Sequence, residues 1–307
     1  MRPLTDDCPK PLLPLAAEPL VAYQLRRLAG VGVRRVVVAV GYLADHFTTV
    51  LGDGSRWGVE LSCSVEERPL GTGGGLRAAL EQLATVDQVI VLNGDLLSSH
   101  DLAAQLRFAR AAEVCLHVRA VPEVASYGHV TCDERGRVTA FTEKTGRGPG
   151  LANAGTYVIA ADAARCLPAG CSSWERDALP ALIDGGARVV AWQGNGYFRD
   201  VGSPQAYRGA CADAVTARLP DVPAHPGQVY VARGAHVAPD AHVTAGSSIQ
   251  EGAVVDPGAV VSESVVLAGS RIGPWATVSR CVVAAGAVVP GGTLHEDAVV
   301  AVAPTRQ

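Results

Sequence analysis

Up to about residue 218 the apolar positions keep changing rhythm, between helical spacing and short unbroken runs. Leu20, Tyr23, Leu25 and Leu28 predict an amphipathic helix over 19–29, stopped by Gly30, and 34–40 then reads as an apolar strand. A helix over 42–51, a strand over 59–65, a helix over 76–83, a strand over 88–92 and a helix over 100–111 continue the series. Such alternation is the pattern of a doubly wound parallel sheet in an α/β fold. Beyond Ala111 strands predominate: 113–121, 128–133, 137–143 around the Asp133-Glu-Arg-Gly136 turn, and 151–159. Helices over 173–183 and 204–217 close this part, with short strands over 187–192 and 197–201 between them.

Residues 219–228, Leu-Pro-Asp-Val-Pro-Ala-His-Pro-Gly-Gln, read as a linker because of their prolines. The rhythm then changes completely. Val231, Val237, Val243, Ile249, Val255, Val261 and Leu267 recur every six residues, and Ala235, Ala241, Ser247, Ala253 and Ala259 are the small residues four places after each of the first five. The period slips once near Ile272 and resumes at Val278, Val283 and Val289. A six-residue apolar repeat with small residues at one phase predicts a parallel β-helix, in which each apolar residue stacks on the next coil. The chain therefore divides into 1–218, a linker at 219–228 and a β-helix domain at 229–307.

Composition narrows the class. At 307 residues and 48 % hydrophobic the chain can bury a full core. A formal charge of −4 without a basic run argues against nucleic acid or a membrane surface as the main partner. The longest apolar runs, such as 36–40, are far too short to span a bilayer, and Met1 leads into a proline-rich polar segment rather than a signal peptide. Eight scattered cysteines, with no C-x-x-C and no histidine pair at zinc spacing, read as reduced core hydrophobes of a cytoplasmic protein.

Arginine outnumbers lysine 24 to two, so Lys10 and Lys144 mark places where a compact point charge is needed, unless they are mere leftovers. Lys10 stands between Pro9 and Pro11, which fix φ and remove two backbone donors. A stiff extended strip presenting a lysine suits a phosphate. Leu70-Gly-Thr-Gly-Gly-Gly-Leu76 follows a predicted strand and precedes a predicted helix, a context in which a glycine-rich turn brings backbone N–H groups against a nucleotide; it is also the form of a plain βα connection. Glu66 and Glu67 stand just upstream, where a carboxylate could accept from a guanine N1–H and amino group, or simply be solvated. Asn93-Gly-Asp95 ends the strand 88–92, the end at which open α/β sheets bind ligands. Asp95, with Asp200 at the end of the strand 197–201, could hold Mg²⁺, which takes one or two carboxylates plus substrate phosphates; each aspartate could also be a strand-end cap. Glu143-Lys144 and Asn153-Ala-Gly155 offer a cation for a sugar phosphate and polar groups for hydroxyls, or a surface ion pair and a strand glycine. No histidine clusters with Ser or Cys as a nucleophilic triad would require, so covalent catalysis is not indicated.

Taken in order, R-P-L-T-x-x-x-P-K-P-L-L-P, E-x-x-P-L-G-T-G-G, N-G-D, Y-G-x-V, F-x-E-K, N-A-G, E-R-D-x-L-P and R-D-V-G-S-P-x-x-Y make the chain resemble the nucleoside-diphosphate-sugar pyrophosphorylases. Within them it looks closest to the bacterial mannose-1-phosphate guanylyltransferases, which also append a left-handed β-helix. The resemblance implies a Rossmann-like nucleotidyltransferase domain followed by a left-handed β-helix of hexapeptide repeats. It implies that GTP and mannose 1-phosphate give GDP-mannose and pyrophosphate with Mg²⁺. By motif match Lys10 touches the phosphates, Asp95 and Asp200 hold the metal, and Glu66, Leu70, Gly71, Thr72, Gly73 and Asn93 surround the nucleotide. Tyr127, Gly128, Glu143, Lys144 and Asn153 surround the sugar phosphate.

One departure stands out. The family carries an apolar strand and a G-G-x-G-T-R loop immediately before R-P-L-T, and both are absent here, roughly a dozen residues. The expectation is that the natural start lies upstream and that the chain as given is poorly active. Another base or another sugar, such as a glucose or heptose phosphate, is the alternative within the class. A regulatory subunit that binds nucleotide sugar without turnover is a second reading, and an acyltransferase a third. The last needs a catalytic histidine beside a long loop between coils, whereas His236 and His242 lie within regular repeats. Because a β-helix leaves open ends, a homo-oligomer is expected.

Overall fold

In the computed structural model all residues are described except 42, 84–85, 168–169, 221, 223–224 and 303–307. They form two compact units, one of residues 24–198 and one of residues 1–23 with 199–307. Of the expected linker, 221 and 223–224 lie outside the described residues, as does Tyr42 at the start of the expected helix 42–51.

The unit 24–198 is built on a six-stranded sheet whose centre is the long strand Gly150–Ala160. Val114–Val121 pairs antiparallel along one edge of it, and Val189–Gln193 extends the sheet parallel to Val114–Val121. On its other edge Gly128–Cys132 pairs with the first half and Gln88–Leu92 with the second, while Val138–Glu143 lies outside Gly128–Cys132. Alternation along Val114–Val121 sends Val114, Leu116 and Val118 into a large core with Tyr157, Ile159, Trp174 and Leu179, and turns Cys115 to the other face with Ala109 and Val158. Both faces are thus covered, which is why the strand reads as an unbroken apolar run.

A separate parallel pair, Arg35–Val40 with Glu60–Val65, also lies in this unit. The doubly wound parallel sheet expected from the alternation is therefore realised as a parallel pair and a mixed sheet. Within the mixed sheet the Asp133–Gly136 turn is closed by a Gly136 N–H to Asp133 carbonyl bond of 3.0 Å, and a turn that short joins Gly128–Cys132 and Val138–Glu143 antiparallel. Two helices also differ from expectation. The one expected from 76 begins at Gly71 and runs to Gln82. The one expected over 173–183 is a π-turn, Trp174–Ala178, running into the α-helix Leu179–Asp184.

In the other unit the strip around Lys10 is not extended as expected. Lys10–Leu12 is a single 3₁₀ turn, because Pro11 sits in its first turn, where a missing N–H costs nothing and φ already suits. A small hairpin, Pro14–Leu15 with Glu18–Pro19, follows. The helix Pro204–Val215 is capped by Ser203 Oγ, which accepts from the Ala206 N–H at 3.1 Å.

Strands from Tyr230–Val231 to Val299–Val300 wind into a left-handed β-helix of three parallel sheets of five, four and four strands. Ile249, Val255, Val261, Val266, Ile272, Val278, Val283 and Val289 point inward at 0 % exposure, so the stacking predicted from the repeat is present. The slip is not where the period placed it. Tyr230 pairs with Ser248, eighteen residues on, but Ser248 pairs with Val265, seventeen on, and every later coil keeps the shorter length. One corner has lost a residue, between Val261 and Val266 and again between Val278 and Val283, and Leu267 is not the stacked position. Glu263, Arg280 and Asp297 turn that corner at φ of 44–51°, and Ser264 and Cys281 take the small buried place. Arg280 donates to both carboxylate oxygens of Asp297, at 2.9 and 2.7 Å, which ties two successive corners together.

Candidate active site

The glycine-rich stretch explains itself once its neighbours are seen. Ser172 bonds back to it at both ends: its N–H donates to the Leu70 carbonyl at 2.9 Å, and its carbonyl accepts from the Gly73 N–H at 2.9 Å and the Gly74 N–H at 3.4 Å. A Cβ on Gly71 would stand 2.5 Å from the Ser172 carbonyl, and one on Gly73 would stand 2.6 Å from Ser172 Oγ. A Cβ on Gly74 would overlap the Gly170 carbonyl, and one on Gly75 would stand 2.6 Å from Glu66 Oε1. This corrects the expectation that the turn simply bares its N–H groups to a nucleotide. Gly73 and Gly74 are buried and their N–H groups are committed to Ser172; Gly71 and Thr72 are the exposed members. Glu66, the expected partner of the base, uses one oxygen to accept the Leu70 N–H at 2.9 Å and so holds the loop against its own strand end.

From this loop a hydrogen-bonded path runs across the sheet. Thr72 Oγ1 accepts from the Trp174 N–H at 2.8 Å and donates to Glu175 Oε2 at 2.9 Å. The other Glu175 oxygen accepts, at 3.4 Å, from the Tyr157 hydroxyl, which itself accepts from Asn153 Nδ2 at 2.6 Å. Burial, and then the Glu175 charge, raise the Tyr157 hydroxyl well above its ordinary pKa, so it remains a proton donor. Asn153 Oδ1 accepts from the Gly155 N–H at 3.2 Å, and the Gly155 carbonyl accepts from the Asn93 N–H at 2.9 Å. The central strand bulges between Asn153 and Tyr157, with Gly155 at φ +59°, which lets Asn93 and Leu96 press against it. The Asn93-Gly-Asp95 turn is gripped from behind by Gln24, whose amide donates to the Asn93 carbonyl at 2.9 Å and the Leu96 carbonyl at 2.6 Å.

Sequence reasoning missed Glu175 and Gln24 as parts of this frame. Glu175 had a signal, since it opens the E-R-D-x-L-P motif; Gln24 on an amphipathic helix face had none. Tyr127, Gly128, Glu143 and Lys144 are brought together at one hairpin end: Gly128 pairs with Glu143, and the Lys144 N–H donates to the Tyr127 carbonyl at 3.2 Å. A Cβ on Gly128 would stand 2.9 Å from Glu143 Oε2, so glycine makes room for that carboxylate. Lys144 Nζ lies 3.5 Å from Glu143 Oε1. The Ala152–His129 pairing places Asn153 one step further along the same ladder, beside this group.

Behind the bulge lies a buried histidine pair. His100 contacts Ser98 Oγ at 2.7 Å and Gln105 Oε1 at 2.9 Å, and its ring centroid is 3.7 Å from that of His117. Burial lowers His100 to about 4 and His117 to about 3, so both are neutral at neutral pH. Gln105 Nε2 in turn donates to the Thr156 carbonyl in the bulged strand at 3.2 Å.

Lys10 and Asp200 belong to the other unit. Lys10 is half-buried on its 3₁₀ turn; Asp200 is exposed and ends the strand Phe198–Asp200, and a Cβ on Gly202 would stand 3.0 Å from its Oδ1. Among the described residues no three His, Cys, Asp or Glu side chains gather into a ready-made cage. Asp95 and Asp200 each offer hard oxygen donors, the type taken by a cation that completes its shell with phosphate and water.

Residues 1–216 match the profile of the nucleotidyl transferase family, and the chain belongs to that family. It is 38 % identical over 244 residues to the mannose-1-phosphate guanylyltransferase of Mycobacterium tuberculosis, covering 77 % of this chain and 68 % of that one. It is 33 % identical over 215 residues to the probable mannose-1-phosphate guanylyltransferase 1 of Oryza sativa subsp. japonica, spanning 59 % of that protein's length. Among solved structures it is similar to HddC from Yersinia pseudotuberculosis complexed with GMP-PN, with a TM-score of 0.60 and 27 % identity over 69 % of this chain and 92 % of that one. No helix among the described residues is long and apolar enough to cross a membrane.

Proposed function

We propose that this protein is a Mg²⁺-dependent sugar-1-phosphate guanylyltransferase, joining GTP and α-D-mannose 1-phosphate into GDP-mannose and pyrophosphate. The observation that carries the reading is the hydrogen-bonded path from Thr72 through Glu175, Tyr157 and Asn153 to Asn93, which joins the glycine-rich loop to the Asn93-Gly-Asp95 turn in one frame. The names of the relatives supply the base and the sugar. A phosphate oxygen of the sugar phosphate attacks the α-phosphorus, and the bond to the leaving pyrophosphate breaks opposite it. Little covalent chemistry falls to the protein; its residues orient the two substrates and neutralise charge.

Leu70, Gly71 and Thr72 frame the base and ribose, with Gly73 as the spacer and Glu66 holding the turn. Asn93 orients the nucleotide beside Asp95. Glu143 and Asn153 accept and donate to sugar hydroxyls, Gly128 leaves them space, Tyr127 backs them, and Lys144 takes the sugar phosphate. Lys10 offsets charge on the triphosphate. Asp95 and Asp200 hold Mg²⁺, which when bound draws charge from the phosphate oxygens. The protein acts in the cytoplasm, as a homo-oligomer.

A pyrophosphate-release assay with Mg²⁺, crossing GTP, ATP, dTTP and UTP with mannose, glucose and heptose 1-phosphates, tests this. Turnover confined to GTP with mannose 1-phosphate is expected. A better rate with another pair reassigns the substrates, and silence from folded protein with every pair sinks the enzyme reading.

A further inference from the structure

The hairpin after Lys10 is held in an unusual way. Two of its four paired residues, Pro14 and Pro19, have no N–H, so its ladder lacks donors. Three consecutive carbonyls are instead bound by side chains. Pro14 O accepts from the Tyr207 hydroxyl at 2.7 Å and from Cys211 Sγ at 3.5 Å, both on the helix Pro204–Val215. Leu15 O accepts from the Tyr23 hydroxyl at 2.8 Å. Ala16 O accepts at 3.2 Å from Nε2 of Gln250, which stands just after the strand Ser248–Ile249 in the second coil of the β-helix. Ala16 turns the hairpin at φ +53°, a conformation that a non-glycine residue keeps only when its surroundings hold it. The Gln250 amide is buried at 7 % exposure and also donates to Ser248 Oγ at 2.8 Å, so its orientation is fixed from the coil side. The grip reaches the lysine turn by a short backbone route: the Leu20 N–H donates to Leu13 O at 3.0 Å and the Leu13 N–H to Lys10 O at 3.1 Å.

We propose that the β-helix serves the reaction as a positioning element, in which Gln250, through the Ala16 carbonyl, sets the placement of the turn that carries Lys10. This rests on the reading of Lys10 as the residue that contacts phosphate. Gln250 touches no substrate; it acts through the hairpin. The six-residue repeats thereby have a function at the transfer step besides assembly, and the second coil carries it because, among the described residues, that coil places a long amide donor under the hairpin.

The test is a double-mutant cycle on the full chain, reading kcat, both KM values and thermal stability. Gln250→Met keeps length and volume but removes the donor. It is expected to lower kcat about tenfold, since small misplacements of a charge cost rate steeply, and to leave KM for the sugar phosphate within about twofold. In a Lys10→Ala background Gln250→Met is expected to change kcat no further. Tyr207→Phe, which leaves Pro14 O to the weak Cys211 Sγ donor without touching a coil, is expected to behave the same way, and stands in if Gln250→Met does not fold. Multiplicative losses in the cycle, or lower stability with unchanged kcat, overturn the proposal while leaving Lys10 in its role. Wild-type turnover by Lys10→Ala overturns the role of Lys10, and the proposal with it.

Discussion

Glycine does opposite work in the loop 71–75 and at the coil corner that holds Gly286. In the loop 71–75 four of the five residues, Gly71, Gly73, Gly74 and Gly75, are glycine where there is no room for a side chain: each would drive a Cβ into an atom of Ser172, Gly170 or Glu66. In the coils Gly286 has open space around it and is glycine because its φ is +69°. The loop uses the residue for its volume and this coil corner uses it for its backbone freedom. A coil repeats one solution at each turn, so a neighbour can share a loss; the loop solves a packing problem once. Function is expected to concentrate where solutions are unrepeated.

The largest effect that would bear on that contrast is expected at Asp95. Asp95→Asn keeps size and the Asn93-Gly-Asp95 turn, held through the Asn93 and Leu96 carbonyls by Gln24, but removes a charge from the proposed metal site. Losing a metal ligand is worth several kcal/mol of transition-state stabilisation, or about two to three orders of magnitude in turnover. Pyrophosphate release measured beside thermal unfolding should show a collapsed rate at an unchanged melting point. Near-normal turnover would remove Asp95 from the site.

Gly74→Ala comes next and acts on stability. Alanine is the better helix former by about 1 kcal/mol, so propensity alone favours the variant. The methyl group would overlap the Gly170 carbonyl and stand 2.9 Å from Leu70 Cβ. Neither can retreat easily, because Ser172 bonds to Leu70, Gly73 and Gly74 together. A net loss of about 2 kcal/mol is expected, with overpacking outweighing propensity. A more stable variant in denaturant titration would show that the loop has slack and break the contrast.

These cases show why some of the molecule is legible in its sequence and some is not. The β-helix announced itself because an inward position recurs, and one misplaced slip did not hide it. Even so the shortened corner was invisible, since Leu267 continues the period of six while Val266 is the residue that stacks. The strands of the sheet could be read from runs such as 114–118, but not their directions, which depend on connection length and long-range pairing. Asn93, Asp95 and Glu143 could be singled out as polar residues at strand ends, and Asn153 as a polar residue inside an apolar strand, because each lies in a short motif. Gln24 and the Ser172 carbonyl were not, because a buried amide meeting a distant backbone carbonyl leaves no local pattern.

A smaller, pH-dependent effect belongs to the frame behind the site. His100 and His117 are held neutral, at about 4 and about 3, against about 6.5 in an unfolded chain. The unfolded state therefore binds more protons below pH 6.5. Stability from this pair is fully present above that pH and is lost as pH falls, by up to about 1.4 kcal/mol per pH unit for each histidine. Denaturant titrations at pH 7 and 5 should show the loss, and His117→Leu should flatten it. An equal slope in that variant would place the acid sensitivity elsewhere.

Gly286→Ala is expected to have the smallest effect, and its mechanism is the reverse of that at Gly74. No atom lies within 4 Å of where its Cβ would stand, so nothing is overpacked. The Gly286 N–H keeps its bond to the Ala268 carbonyl at 2.9 Å, and the cost is that of holding alanine in the left-handed region, about 1 kcal/mol. Glu263, Arg280 and Asp297 already hold that conformation at another corner of the same coils, so the fold tolerates it in residues with side chains. Turnover should be unchanged and the unfolding midpoint slightly lowered. A loss as large as that from Gly74→Ala would mean that the corner glycines are packed as tightly as the loop, and that repetition gives the coils no tolerance.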